Sequence, residues 1–228
     1  MPRIITSLKS TVRSLGWVDG LTYLLAQGLW RISGGWLRVL SYVLVVQPIG
    51  EGIGIPAHRG RDINIQEVNP QSPLLALMHH PAEVINARFS QGARCLVALK
   101  HGDLVGFLWW VAGPYQEDEV RCLFIPEPQG STVWDFDVYV CRQQRCTPVF
   151  ARLWDTASKL WFAEGYRYSV SRISAFNPAS LAAHQRLGAK IVGHRLFICV
   201  GRLELSFSRQ SPRCVITVKG SPRVRVGF

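Results

Sequence analysis

Val133-Trp134-Asp135-Phe136-Asp137-Val138-Tyr139-Val140 leads through Arg142 and Arg145 to Thr147-Pro148, and Tyr168-Ser169-Val170-Ser171-Arg172-Ile173 leads to Asn177-Pro178. Both stretches begin as strands, rich in β-branched and aromatic residues. Both end on a residue whose side-chain oxygen can cap a helix, followed by proline. Proline suits a first helical turn because the amide it lacks would be unpaired there. A strand that turns directly into a helix N-terminus, with two arginines in the loop, is a site for an anion such as a phosphate.

The surrounding pattern extends this unit in both directions. Upstream, Ile63–Val68 alternates as a strand, residues 72–90 read as helical with Pro81 dividing them, and Cys95–Lys100 and Leu104–Ala112 pair around a tight His101-Gly102-Asp103 turn. Residues 119–125 read as a further strand. Downstream of strand 133–140 come helix 148–164 closed by Gly165, strand 168–174, helix 178–187 closed by Gly188, and strands over about 190–206. This order predicts an α/β fold with a mixed, mostly antiparallel central sheet and helices on both faces.

Ahead of this lies a segment of different character. Residues 3–15 have amphipathic helical spacing, a second helix runs from Asp19 to about Ile32 and stops at Ser33-Gly34-Gly35, and Val39–Val46 is an apolar strand. Gly50–Gly60 reads as a connection. The expected division is a basic N-terminal extension (1–60), a main domain (61–206) and a basic C-terminal tail (207–228). Residues 1–35 either pack on the main domain or lie flat on a membrane surface. Within the tail, Arg223 and Arg225 alternate with valines as a basic edge strand would.

The chain has 228 residues, 48% of them hydrophobic, and a formal net charge of +11. Residues 1–60 and 195–228 carry most of the excess, with six Lys/Arg against two acids and seven against one. Such flanks suit an anionic membrane surface or an acidic carrier protein, and no recognised nucleic-acid motif accompanies them. The six cysteines form no CxxC pair and have no histidine cluster beside them, so no metal is expected. With no signal peptide of the usual form, a reducing cytosol is the default compartment, with attachment to the inner face of the membrane as the variant.

The segment Asn177-Pro178-Ala179-Ser180-Leu181-Ala182-Ala183-His184-Gln185-Arg186-Leu187-Gly188-Ala189 resembles the GNAT superfamily of acyl-CoA-dependent N-acyltransferases, and the similar element order covers about residues 61–206. Asn177, Ser180 and Gly188 match that family's pattern. His184 stands where the family has Tyr, and Ala189 where it has Phe. In the first unit Val140, Arg145, Val149 and Leu153 fall on the family's positions, but Cys146, Pro148 and Phe150 replace its glycines.

The resemblance implies acetyl-CoA or another acyl-CoA as donor and direct transfer to an amine on a small molecule or a protein. It implies that strands 133–140 and 168–174 splay apart to admit the pantetheine arm. It assigns backbone contacts to Val138, Tyr139 and Val140, and cofactor contacts to Arg142, Arg145, Cys146, Thr147, Val149, Asn177 and Ser180. His184 becomes the acid toward the thiolate.

Strand alternation puts Asp135, Asp137 and Tyr139 on one face. The resemblance places Asp137 nearer the thioester and so makes it the preferred base over Asp135, with Glu119 from the preceding strand as second candidate. The structural alternative bonds the strand carboxylates Asp135 and Asp137 to Arg121 or Arg172. Phe107-Leu108-Trp109-Trp110 with Tyr115 lines an acyl or acceptor pocket, or else is core. Cys141 reads as a small filler. The remaining partner expectation is a homodimer. A binding module of the same fold, acting at a membrane or on nucleic acid, is the competing function.

Overall fold

The computed structural model describes residues 15–56 and 58–228. The amphipathic helix expected from residue 3 lies, up to residue 14, outside them. Twelve described strands form a nine-stranded sheet and a three-stranded one. In chain order the elements are α1 (Trp17–Ile32), β1 (Leu37–Pro48), β2 (Ile63–Val68), a 3-10 turn (Pro73–Leu77), α2 (Ala82–Ser90), β3 (Arg94–Lys100), β4 (Asp103–Val111), β5 (Tyr115–Gln116), β6 (Leu123–Pro126), β7 (Thr132–Val140), α3 (Val149–Ala163), β8 (Tyr168–Ser174), α4 (Pro178–Arg186), β9 (Lys190–Val200), β10 (Leu203–Ser208), β11 (Cys214–Thr217) and β12 (Arg223–Val226).

The large sheet runs β11-β10-β9-β1-β8-β7-β4-β3-β2, and the small one β12-β6-β5. Only β7–β8 among the large sheet's pairings is parallel; the others are antiparallel. The fold is therefore the mixed, mostly antiparallel α/β sheet expected.

Local signals placed most elements. Asn177 accepts the Ser180 amide at 3.1 Å and caps α4, with Pro178 in its first turn. Gly165 and Gly188 lie beyond the ends of α3 and α4 at φ 95° and 89°, the left-handed conformation that ends helices. Pro81 immediately precedes α2 and separates it from the 3-10 turn.

Three expectations are corrected. The strand expected over residues 119–125 begins only at Leu123: Glu117–Arg121 is a loop, and β6 pairs with β5 and β12 in the small sheet. The N-terminal strand is not an appendage, because β1 hydrogen-bonds to β8 on one side and β9 on the other. Its Tyr42–Val46 run is buried throughout, as an apolar strand with two partners and two covered faces requires. The segment after residue 206 contributes β11 to the large sheet and β12 to the small one. Val224 and Val226 are buried there and the alternating arginines exposed.

Two packed layers cover the large sheet. On one face α3 lies over Leu96, Ala98, Val105, Leu108, Trp110 and Val133, while α4 lies against Val43, Val45 and Ile173. On the other, α2, the 3-10 turn and the small sheet enclose Trp109, Trp134, Phe136, Phe197 and their neighbours. The hairpin aromatics Phe107, Trp109 and Trp110, with Leu108 and Tyr115, are all buried and so form core rather than a pocket wall.

Backbones approach closely at Gly106 of β4. A Cβ there would meet the Tyr139 carbonyl oxygen at 2.8 Å, with Val149 at 3.1 Å and Leu153 at 3.2 Å. Gly106→Ala is therefore expected to destabilise the protein by about 1–3 kcal/mol, the usual cost of overpacking. Urea denaturation should show a lower midpoint at unchanged slope.

Candidate active site

β7 and β8 are paired only at Thr132↔Tyr168, Val133↔Ser169 and Trp134↔Val170. Beyond Trp134 the edge of β7 facing β8 has no strand partner among the described residues, while its other edge continues along β4 as far as Val140. The two strands thus separate, and α3 and α4 begin beyond the open ends.

A bulge accompanies the separation. Asp137 has φ 49°, a left-handed conformation that Asp tolerates better than most residues. The register between β4 and β7 shifts between Phe107 and Trp109. The expected alternation therefore fails at Asp137. Asp135 lies on the α3 face opposite Trp110, whereas Asp137 joins Phe136 and Tyr139 on the other face. The two carboxylates do not share a face.

Asp137 enters a charged cleft of about 340 Å³, lined by His80, Val84, Arg88, Glu117, Asp118, Glu119, Phe136 and Arg172. Its Oδ2 accepts Arg88 Nη1 at 2.5 Å and His80 Nε2 at 2.6 Å. Arg88 also donates to Asp118 through Nε at 2.9 Å and Nη2 at 2.7 Å, and its guanidinium lies over the rings of Trp109 and Phe136. Burial alone would raise the Asp137 carboxyl. The His80 bond and the Arg88 charge outweigh it and hold the group below the usual carboxylate range.

A second cluster forms the opposite wall. Arg172 donates to Glu117 at 2.9 and 2.5 Å and pairs with Glu119 at 2.9 Å. It also lies over the Tyr42 ring, whose hydroxyl donates to Glu119 at 2.8 Å. Asp137 and Glu119 are therefore brought to one cleft. The partner of Asp137 is Arg88, not Arg121 or Arg172, and Arg121 instead donates to the Arg202 and Val218 carbonyls.

His184 has a different setting. It is buried on the α3 side against the Phe150 and Trp154 rings, apart from the charged cleft. Burial lowers its pKa to about 4, so at neutral pH it is an uncharged imidazole with no proton to spare as an acid. Asp135 is equally enclosed, accepting the Ser169 hydroxyl just where β7 and β8 part. Burial raises its pKa to about 7 against the opposing bonds from Ser169 and Ser171.

At the start of α3, Pro148 is helical at φ −66° and ψ 0°. The Thr147 amide is spent on the Gln144 carbonyl at 3.1 Å, and the Val149 amide meets the Thr147 hydroxyl at 3.5 Å. Arg142, Arg145 and Cys146 are exposed, with Arg145 Nε donating to the Val140 carbonyl at 3.4 Å. Ser180 contributes its amide to the Asn177 cap. Cys141 is half-buried beside the α3-side core, as a filler would be. Among the described residues no group of three or more His, Cys, Asp or Glu is arranged to hold a metal ion.

His80 and Arg88 are absent from the candidates that the sequence supplies, and Arg172 is reached only as a partner for carboxylates. The available signal was His79-His80-Pro81, a pair of imidazoles directly ahead of a helix.

The two buried titratable groups, His184 and Asp135, give opposite pH dependences. His184 binds its proton in the unfolded chain below about 6.5 but in the folded one only near 4. Its contribution is full above that window and falls by about 3 kcal/mol as the pH drops through it. Asp135 keeps a proton up to about 7 when folded against an ordinary 3.8, so stability declines as pH rises between those values. His184→Phe should leave stability falling with rising pH across this window, and Asp135→Asn should leave it rising. Urea titrations at several pH values check the sign, and equal slopes in the two variants would contradict the assignment.

No family model and no curated protein matches the chain. Solved structures are similar at low identity. A functionally unknown conserved protein from Staphylococcus epidermidis is 15% identical with a TM-score of 0.49, covering 75% of this chain and 65% of that one. A tandem GNAT protein from the clavulanic acid biosynthesis pathway is 12% identical with a TM-score of 0.47, covering 70% of this chain and 53% of that one. A GCN5-related N-acetyltransferase from Kribbella flavida is 12% identical with a TM-score of 0.40, covering 71% and 59%. The chain spans between about half and two thirds of the length of these three proteins.

Proposed function

We propose that the protein is an acyl-CoA-dependent N-acyltransferase that transfers an acyl group directly to an amine held in the charged cleft. The observation that carries this reading is the parting of β7 from β8 after three paired residues, directly beside that cleft. A strand edge with no partner receives an extended, amide-bearing chain as an added strand is received. Pantetheine is such a chain, and Val138, Tyr139 and Val140 are the residues that would pair with it.

The α3 loop would hold the phosphates less completely than a glycine-rich turn does. Pro148 brings no amide and that of Thr147 is already used. What remains is the amide of Cys146, those of Phe150 and Ala151 in the first turn of α3 and the exposed guanidinium groups of Arg142 and Arg145. When bound, acyl-CoA supplies the thioester whose carbonyl carbon the amine attacks.

The cleft supplies the other half of the chemistry. Glu119, half exposed and anchored by Tyr42 and Arg172, attracts a cationic amine. The amine must lose a proton as it attacks. Asp137 is held too acidic to be a strong base, so its place is to orient His80 through Nε2, leaving Nδ1 to take the proton. A proton acceptor fixed by a carboxylate needs no reorganisation as charge develops.

Calorimetry with acetyl-CoA and longer acyl-CoAs, followed by thiol-release assays with amine acceptors, tests the proposal. His80→Ala is expected to lower kcat by about 10²–10⁴-fold with little change in the KM for the acyl donor. Arg142→Gln with Arg145→Gln should raise that KM about tenfold or more at unchanged kcat. Absence of acyl-CoA binding at millimolar ligand would sink the proposal.

A further inference from the structure

α1 is turned inside out. A helix docked on a sheet normally buries its apolar stripe. Here the inward side presents Gly20 and Ala26, both buried, and Tyr23 edge-on to Phe176. The outward side carries Trp17, Val18, Leu21, Leu25 and Ile32, exposed at 75, 78, 56, 62 and 89%. Their spacing puts them on one stripe with no charged residue in it. Trp36, just beyond the C-terminal end of the helix and against Gly201, is also largely exposed.

The apolar surface continues past the helix. Leu21, Leu25 and Leu29 join Leu37, Val39, Leu196 and Ile198 around a shallow groove of about 400 Å³. The β-register then sets Leu205 beside Ile198, Phe207 beside Leu196, and Ile216 beside Leu205. Phe207 and Ile216 are exposed, and Phe207 borders a further cleft with Ile191, Leu196 and Arg209.

Charge indicates what covers this face. Arg31, Arg202, Arg209, Arg213 and Lys219 are all exposed on the elements that form it. Those elements, residues 17–36 and 190–220, contain only two acids, Asp19 and Glu204. Glu204 is buried and accepts the Arg121 amide. A second copy would set like charge against like. The fitting partner is apolar inside and anionic at its rim. Exposed indole rings at the two ends of an apolar stripe, Trp17 and Trp36, with arginines around the face, match the layering of a bilayer interface.

We propose that this face binds the surface of an anionic lipid bilayer, with α1 lying in the interface plane. Among the described residues no helix is long and apolar enough to cross a membrane, so the contact is superficial.

The test is sedimentation of the full chain with vesicles of phosphatidylcholine containing phosphatidylglycerol, against vesicles of phosphatidylcholine alone. The protein should sediment with the anionic vesicles only, and added salt should release it. Leu21→Asp with Leu25→Asp should weaken vesicle binding about tenfold or more. Both side chains are exposed, so circular dichroism and the thermal midpoint should not change. As a second readout needing no variant, anionic vesicles should shield part of the tryptophan fluorescence from acrylamide. Failure to sediment with anionic vesicles at low salt would overturn the proposal, as would undiminished binding by the double variant. A wild-type dimer that the double variant splits would also overturn it and assign the face to a second copy of the chain.

Discussion

One left-handed residue governs the geometry around the cleft. A regular β7 would send Asp137 to the same face as Asp135, under α3 and among Trp110, Leu153 and Trp154, where an ionised carboxylate would have no partner. The bulge at φ 49° instead directs it to Arg88 and His80, and shifts the register on β4 as β7 leaves β8. Strand separation, the charged cleft and the burial of Asp135 at the parting point therefore hang together. Bulges beside functional sites re-aim side chains in this way.

Around that bulge the cleft is built from two arginines, each serving two carboxylates. Arg88 joins Asp118 to Asp137, and Arg172 joins Glu117 to Glu119. Buried ion pairs of this kind are poor evidence of added stability, since desolvation offsets much of the attraction. Their effect here is positional. Glu117, Asp118 and Glu119 belong to a loop with no regular structure, and the two guanidinium groups hold it against α2 and β8. A site assembled from such distant segments keeps its charges in place before any ligand arrives.

Features written in short stretches of sequence were legible. The Asn177-Pro178 cap, the Gly165 and Gly188 stops, the His101-Gly102 turn and the alternation of Ile63–Val68 each depend on neighbours in the chain. The hidden parts depend on long-range partners. Alternation assigned Asp135 and Asp137 to one face because a one-residue bulge leaves no mark in the pattern yet reverses every side chain after it. Residues 119–121 read as the start of a strand because strand-like residues follow them, but the loop they belong to has its carboxylates drawn to Arg88 and Arg172. His184 matched a position in a family pattern, while its surroundings, two aromatic rings on α3, could be known only from the fold. The helix α1 was legible from its Ser33-Gly34-Gly35 stop. That its apolar residues face outward was not.

The place of β1 has a consequence for how the molecule comes into being. Both of its partners are encoded far downstream, with β8 starting about 120 residues after β1 ends. At ordinary rates of translation roughly ten seconds pass before the first partner exists. During that interval a run of buried-type residues, Tyr42 to Val46, has neither edge paired nor face covered. The central sheet cannot grow progressively from its first strand, and its closure waits on insertion between β8 and β9 late in synthesis. Contacts so distant in sequence make folding slow, and they leave the nascent chain dependent on whatever shields that first strand in the meantime.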